Sequence, residues 1–239
     1  MFFWLSYIFA IGFALIHYCS KYMNFIKDVP RSRVLSVAGG IAVSYVFLHL
    51  LPELSHHQQE VEGTLEDLGG FLQNHIYLIA LFGLTVFYGL ERMVKKYKSR
   101  KGEETSAQLF WIHMSSFFVY NAVIGYLLIR QENDSILGMV FYFLALGIHF
   151  ITNDRSLRRD HQHIYDKYGR VSLTAAILLG WGIGAFYKVD ELVISLLVAF
   201  LAGGVILNVL KEELPEEKES SFAAFALGLA GYTVLLMFI

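Results

Sequence analysis

Apolar residues run almost without interruption through eight stretches, at about Met1–Cys19, Val34–Leu51, His75–Leu90, Leu109–Ile129, Ile136–Ile151, Val171–Tyr187, Leu192–Leu210 and Phe222–Ile239. Each is near the ~17–25 residues a helix needs to cross hydrocarbon, His75–Leu90 and Ile136–Ile151 being the short ones. The pattern predicts an all-α fold, a polytopic bundle of eight transmembrane helices.

Charge orders these segments. Of the 19 Lys and Arg residues, all but Arg130 and Lys188 fall in the first, third, fifth and seventh connections. Basic residues are retained on the cytoplasmic side, so those connections are predicted inside and both termini outside, in a plasma or inner membrane. A hydrophobic fraction of 56% and only 3 prolines leave too little polar surface for a soluble globule. The net charge of −2 gives no reason to expect a nucleic-acid partner, and the bilayer is the one partner the sequence declares. Cys19 is alone, which excludes an internal disulfide framework and a cysteine metal cluster. No basic residue precedes the first apolar run, so it reads as a retained span and not a cleaved signal. No connection is long enough to fold by itself, and residues 1–239 read as a single transmembrane domain.

Two runs within the chain resemble each other. AGGIAVSYVFLHLLPEL spans Ala38 to Leu54 and AGGVILNVLKEELPEE spans Ala202 to Glu217; each opens on a glycine pair and closes on Leu-Pro-Glu. By the charge map the second span runs outward and the seventh inward. The copies therefore predict an inverted repeat of three, two and three spans, with residues 1–95 as the first repeat, 108–155 as the central pair and 170–239 as the second repeat. Secondary transporters use such repeats, with a site near mid-membrane where they meet. The competing reading makes the glycines packing surfaces and the prolines helix stops.

These two runs resemble the ZIP family of zinc and iron transporters, whose second span closes on a His-Leu-Leu-Pro-Glu type sequence, here His49 to Glu53. The resemblance implies eight spans, a three-two-three inverted repeat, and Zn²⁺ or another divalent cation as substrate. It also implies a metal site on the fourth and fifth spans, built from ligands at i and i+4 on facing helices. In one register the candidate metal ligands are Asn121, His149 and Asn153, with His113 two turns below Asn121; Phe150 and Thr152 stand where the family has a carboxylate and a proline. A second register, anchored on Gly169, matches Asn153 and Asp154 to the opening pair instead. The first site has no carboxylate, although Asp154 supplies one if it turns inward.

Each of these residues also has a structural reading. His149 lies deep in an apolar run, where an ionisable group is a functional candidate by default. Asn121 suits an inter-helix hydrogen bond as well as it suits a ligand, and His113 suits packing. Asn153 and Asp154 stand where a helix end at the membrane boundary is expected, with Asp154 and Arg155 as a solvated pair. Outside the spans, His49, Glu53, His56 and His57 head an acidic stretch with Glu60, Glu62, Glu66 and Asp67 that suits a cation entrance. Glu212, Glu213 and Glu216 suit an exit, and His161 and His163 lie in a basic inner connection.

The sequence thus predicts a transporter that moves a cation through the fourth and fifth helices. The alternatives are a ZIP-like protein carrying a non-metal solute or a proton-coupled ion, and one that has lost transport and serves as a sensor or partner subunit. An enzyme is not expected, since the chain contains no His-Glu-x-x-His pair and no phosphate-cradling glycine loop. Small-residue faces are compatible with a homodimer.

Overall fold

The computed structural model describes residues 3–23, 33–64, 75–101, 107–130, 136–213 and 221–237, and every secondary-structure element among them is helical. In chain order the α-helices are α1 (Phe3–Cys19), α2 (Arg33–Tyr45), α3 (Leu51–Thr64), α4 (His75–Lys101), α5 (Ala107–Arg130), α6 (Ile136–Ile164), α7 (Arg170–Phe186), α8 (Glu191–Asn208) and α9 (Phe222–Leu236). Among the described residues, six helical stretches are long and apolar enough to cross a membrane; one of them, Ile136–Phe186, contains both α6 and α7, and α9 is a shorter apolar helix. Large apolar side chains such as Trp4, Ile8, Phe82, Leu179 and Leu227 face outward. A helix that is apolar on every face is either buried in a protein core or spans a membrane.

Wide π-turns interrupt the helices at Val46–Leu50, Tyr165–Gly169 and Val209–Glu213. The first and third immediately precede the two Leu-Pro-Glu sequences. Proline lacks an N–H and its ring crowds the carbonyl four residues back, so an adjoining wide turn lets the helix continue where a regular one would stop. The second apolar run accordingly passes through Pro52 into α3, which places His56, His57 and Glu60 on a helix and not in a loop. α4 likewise continues past Leu90 to Lys101, and α6 past Ile151 to Ile164. Neither extension contains Gly or Pro, and that of α4 is rich in residues that favour helices.

Glycine sets the closest helix contacts. A Cβ at Gly40 of α2 would collide with the backbone of Phe225 and Leu229 in α9, and one at Gly228 of α9 with the backbone of Val37. The α4–α8 crossing repeats the device: Gly203 lies on Ala80 and Leu84, and Gly83 on Phe200. α5 and α7 touch through Gly125, Gly180 and Gly184, whereas Gly182, the other glycine of the Gly-x-Gly sequence, has open space beside it. α1 packs on α7, where Trp181 Nε1 donates to Ser6 Oγ at 3.0 Å, and on α6, where Gly12 faces the Phe143 ring.

Contacts between helix ends fall into two sets. In one, Arg170 Nη1 at the start of α7 donates to Tyr18 O of α1 (2.7 Å), Ser221 N before α9 to Ser36 Oγ of α2 (3.3 Å), and Lys211 after α8 pairs with Glu91 of α4. In the other, Ile76 N of α4 donates to Gln58 Oε1 of α3 (3.0 Å), and His57 Nδ1 meets Ser195 Oγ of α8 (2.9 Å). Val189 N in the α7–α8 link also donates to the Tyr126 hydroxyl of α5 (3.0 Å).

If backbone contact is what these glycines provide, Gly40→Val and Gly203→Val will each lower the melting temperature of the detergent-solubilised protein, by about 1–3 kcal/mol of stability. Gly182→Ala and Gly231→Ala, with open space beside them, will leave it unchanged or raise it. Equal losses at all four positions would contradict the packing argument.

Candidate functional site

Three helices bring polar side chains together in the interior. His17 of α1, Asn121 of α5 and Asp154 of α6 are 0%, 0% and 1% exposed. His17 Nδ1 lies 2.9 and 3.1 Å from the two carboxylate oxygens of Asp154, and its Nε2 lies 2.9 Å from Asn121 Oδ1. The Phe150 ring lies 4.6 Å from the imidazole, between centroids. α6 breaks at Gln162, and the chain returns so that the Tyr165 hydroxyl donates to Asp154 Oδ1 at 2.7 Å.

The hydrogen-bond partners fix where protons reside. Asn121 Nδ2 donates to Phe117 O at 2.8 Å, which turns Oδ1 toward His17; the flipped amide would set two acceptors against each other. The carbonyl oxygen can only accept, so His17 Nε2 carries a proton. At Nδ1 a bare nitrogen would face carboxylate lone pairs, so a second proton lies between Nδ1 and Asp154. On His17 it makes an imidazolium–carboxylate pair, and on Asp154 it makes two neutral groups. In both cases the pair is neutral as a whole and holds one transferable proton. Burying either charge alone costs several kcal/mol, a penalty that this pairing offsets.

The other sequence-predicted residues occupy different places. His149 Nε2 meets the Tyr120 hydroxyl at 3.1 Å, and its Nδ1 has no hydrogen-bond partner among the described residues. Asn153 is buried, with its Nδ2 also lacking one. His113 Nδ1 lies 2.8 Å from His161 Nε2, joining α5 to the far part of α6 through one shared proton. Asp154 is thus neither a helix cap nor half of a solvated pair with Arg155. α6 runs unbroken for seven residues past it, to His161, which removes the helix end that such a cap requires.

Among the described residues, no three His, Cys, Asp or Glu side chains gather to hold a metal ion. Asn121 Oδ1 is turned to His17 and one of the two His149 ring nitrogens, Nε2, to Tyr120, so these atoms are taken up by protein partners. At the other end of the bundle His49 Nε2 lies 4.0 Å from Glu53 Oε2, one helical turn on. A cavity of about 180 Å³ opens beside His49, Tyr45, Tyr142 and Tyr232, and a smaller one of about 30 Å³ beside Glu53 and Tyr142. Glu212 and Glu213 lie in the third π-turn. Glu216 lies outside the described residues, as do Glu66 and Asp67.

His17 and Tyr165 are the members the sequence argument missed. His17 carried the same signal that singled out His149, an ionisable group deep in an apolar run. Tyr165 carried none, since only the break at Gln162 returns it to Asp154.

No protein-family model, curated protein or solved structure matches the chain.

His17→Ala leaves Asp154 buried and uncompensated, and is expected to destabilise the protein by about 3–5 kcal/mol. Adding Asp154→Asn should recover much of that loss, a coupling readable from the four melting curves of a double-mutant cycle. Additive losses would show that the two side chains do not act as a pair.

Proposed function

We propose that this chain is an integral membrane transporter of ZIP-like architecture, in which the His17–Asp154 pair bears the proton that drives or accompanies transport along the central helices α5 and α6. The observation that carries the reading is that contact: His17 Nδ1 within 3.1 Å of both carboxylate oxygens of Asp154, buried, joining α1 to α6 and hydrogen-bonded to α5, with Asp154 also lining a cavity of about 480 Å³. An ionisable group inside a membrane bundle is costly and is characteristic of proton and ion pathways.

The proposed topology has eight spans, with α2 and α3 as one span and α6 and α7 as two, and both termini on the non-cytoplasmic side of a plasma or inner membrane. Two features support it. Helix ends that touch through Arg170, Ser221 and Lys211 adjoin the basic connections, while those that touch through Gln58, His57 and Val189 adjoin connections poor in Lys and Arg. The proposed inverted repeat exchanges the second span with the seventh and the third with the eighth. That operation carries the glycine-lined α2–α9 crossing onto the glycine-lined α8–α4 crossing, and one pre-proline π-turn onto the other. Such repeats rock against a fixed site in alternating-access transporters.

A divalent cation as cargo is the second reading, favoured by the half-buried His49–Glu53 pair beside its cavity. Asn121, His149 and Asn153 make a poor site for Zn²⁺, lacking a carboxylate and already hydrogen-bonded at Asn121 and His149. In that case the cation would move with the proton pair and not replace it.

The test is flux in proteoliposomes containing a trapped pH indicator, under an imposed pH gradient, with and without a panel of divalent cations. The expected result is protein-dependent proton movement that Asp154→Asn reduces at least about tenfold. Cation-dependent acidification lost in Glu53→Gln would identify a metal cargo. Absence of proton movement under every condition, or full movement in Asp154→Asn, would refute the proposal.

A further inference from the structure

Arg155, Arg158 and Arg159 stand at i, i+3 and i+4 of α6, so three guanidinium groups leave one face of the helix within a turn and a half. All three line the 480 Å³ cavity, together with Gln162, His163 and Asp154. Its size falls within the roughly 300–1,000 Å³ usual for small-ligand sites. Three arginines and two carboxylates line it, and one of the carboxylates, Asp154, is turned to His17.

The wall of this cavity is built with some rigidity. Arg158 grips Asp166 with two groups, Nε to Oδ1 at 2.8 Å and Nη2 to Oδ2 at 3.0 Å, and Arg159 Nη2 donates to Ser156 Oγ at 3.1 Å. Between them the helix breaks at Gln162, whose φ of 43° and ψ of −119° make it the one non-glycine residue with positive φ among the described residues. A backbone held there costs about 1–3 kcal/mol, and such strain concentrates at ligand sites. The break turns Asp166 back to Arg158 and Tyr165 back to Asp154, and so places Asp166 in the cavity wall. Membrane topology asks only that basic residues be on the cytoplasmic side. It does not ask that three of them converge on one concavity beside a strained turn.

We propose that this cavity is a binding site for a phosphate-bearing anion. Guanidinium forks match phosphate oxygens two at a time. Arg155 and Arg159 hold the phosphate, while Arg158, fixed to Asp166, holds the wall. The same chemistry is offered by a soluble phosphate monoester and by the headgroup of a phospholipid. The site is independent of whether the protein transports anything, since binding at equilibrium reads it directly.

The experiment is calorimetric titration of the purified full chain in a neutral detergent at low ionic strength. The probes are glycerol phosphate and short-chain phosphatidic acid, with phosphatidylcholine of the same chain length as the neutral control. Saturable binding of either probe, absent for phosphatidylcholine and weakened at least about tenfold in Arg155→Gln/Arg159→Gln, is the expected result. Binding of glycerol phosphate identifies a soluble ligand; binding of phosphatidic acid alone identifies a lipid headgroup. The Arg155→Lys/Arg159→Lys protein, which keeps the charge and loses the fork, should bind with intermediate affinity and serves where the glutamine pair does not fold. Failure of the wild type to bind either probe saturably would overturn the proposal, as would affinity unchanged in both double variants.

Discussion

A carboxylate inside an apolar helix bundle must be neutralised or compensated, and Asp154 is the group on which this structure turns. Both its oxygens lie against His17 Nδ1, Oδ1 also accepts from Tyr165, and His17 in turn holds Asn121. Satisfying one side chain therefore requires α1, α5, α6 and the turn beyond Gln162 to meet at one point. In water such a group would accept many arrangements. Where each unsatisfied polar atom costs several kcal/mol, it accepts very few.

The same economy of polar groups explains the rest of the architecture. Helices in lipid gain little from burying apolar surface against one another, so they associate by close backbone approach, and glycine permits it. The α2–α9 and α4–α8 crossings are both made this way, and each joins a helix of the first part of the chain to one of the last. In the proposed reading these crossings form two arms, and the proton-bearing pair lies where α1 meets the central helices between them. Asp154 also lines the Arg-bearing cavity, so the buried network and the proposed anion site share that residue.

The helices were legible in the sequence because lipid imposes a length and an apolarity that few other environments demand. Among the described residues the eight apolar runs lie on helices except at Tyr187 and Met237, and the helices run past three of their expected ends, at Leu51, Leu90 and Ile151. Those errors share a cause. Charge and proline were read as boundaries, whereas Lys and Arg favour helices and a π-turn carries α2 past Pro52 into α3. The site was legible residue by residue but not in its pairing. Asn121, His149 and Asp154 were singled out as polar groups in or beside apolar runs, yet the partner that joins two of them, His17, is 104 residues away from one and 137 from the other. The i, i+4 spacing inspected on single helices carries no information about a third helix, and the ZIP-like registers directed attention to α5 and α6 alone.

The central claim is that His17 is protonated at Nε2, toward Asn121, and shares a second proton with Asp154. Nitrogen NMR of histidine-labelled protein in bilayers, with His17 assigned by its loss in His17→Gln, reports each ring nitrogen directly. The account predicts a proton on Nε2 in the wild type and in Asp154→Asn, with Nδ1 either protonated or in a strong hydrogen bond to the carboxyl group of the wild type. A wild-type His17 with a bare Nε2 and a proton on Nδ1 alone would contradict it.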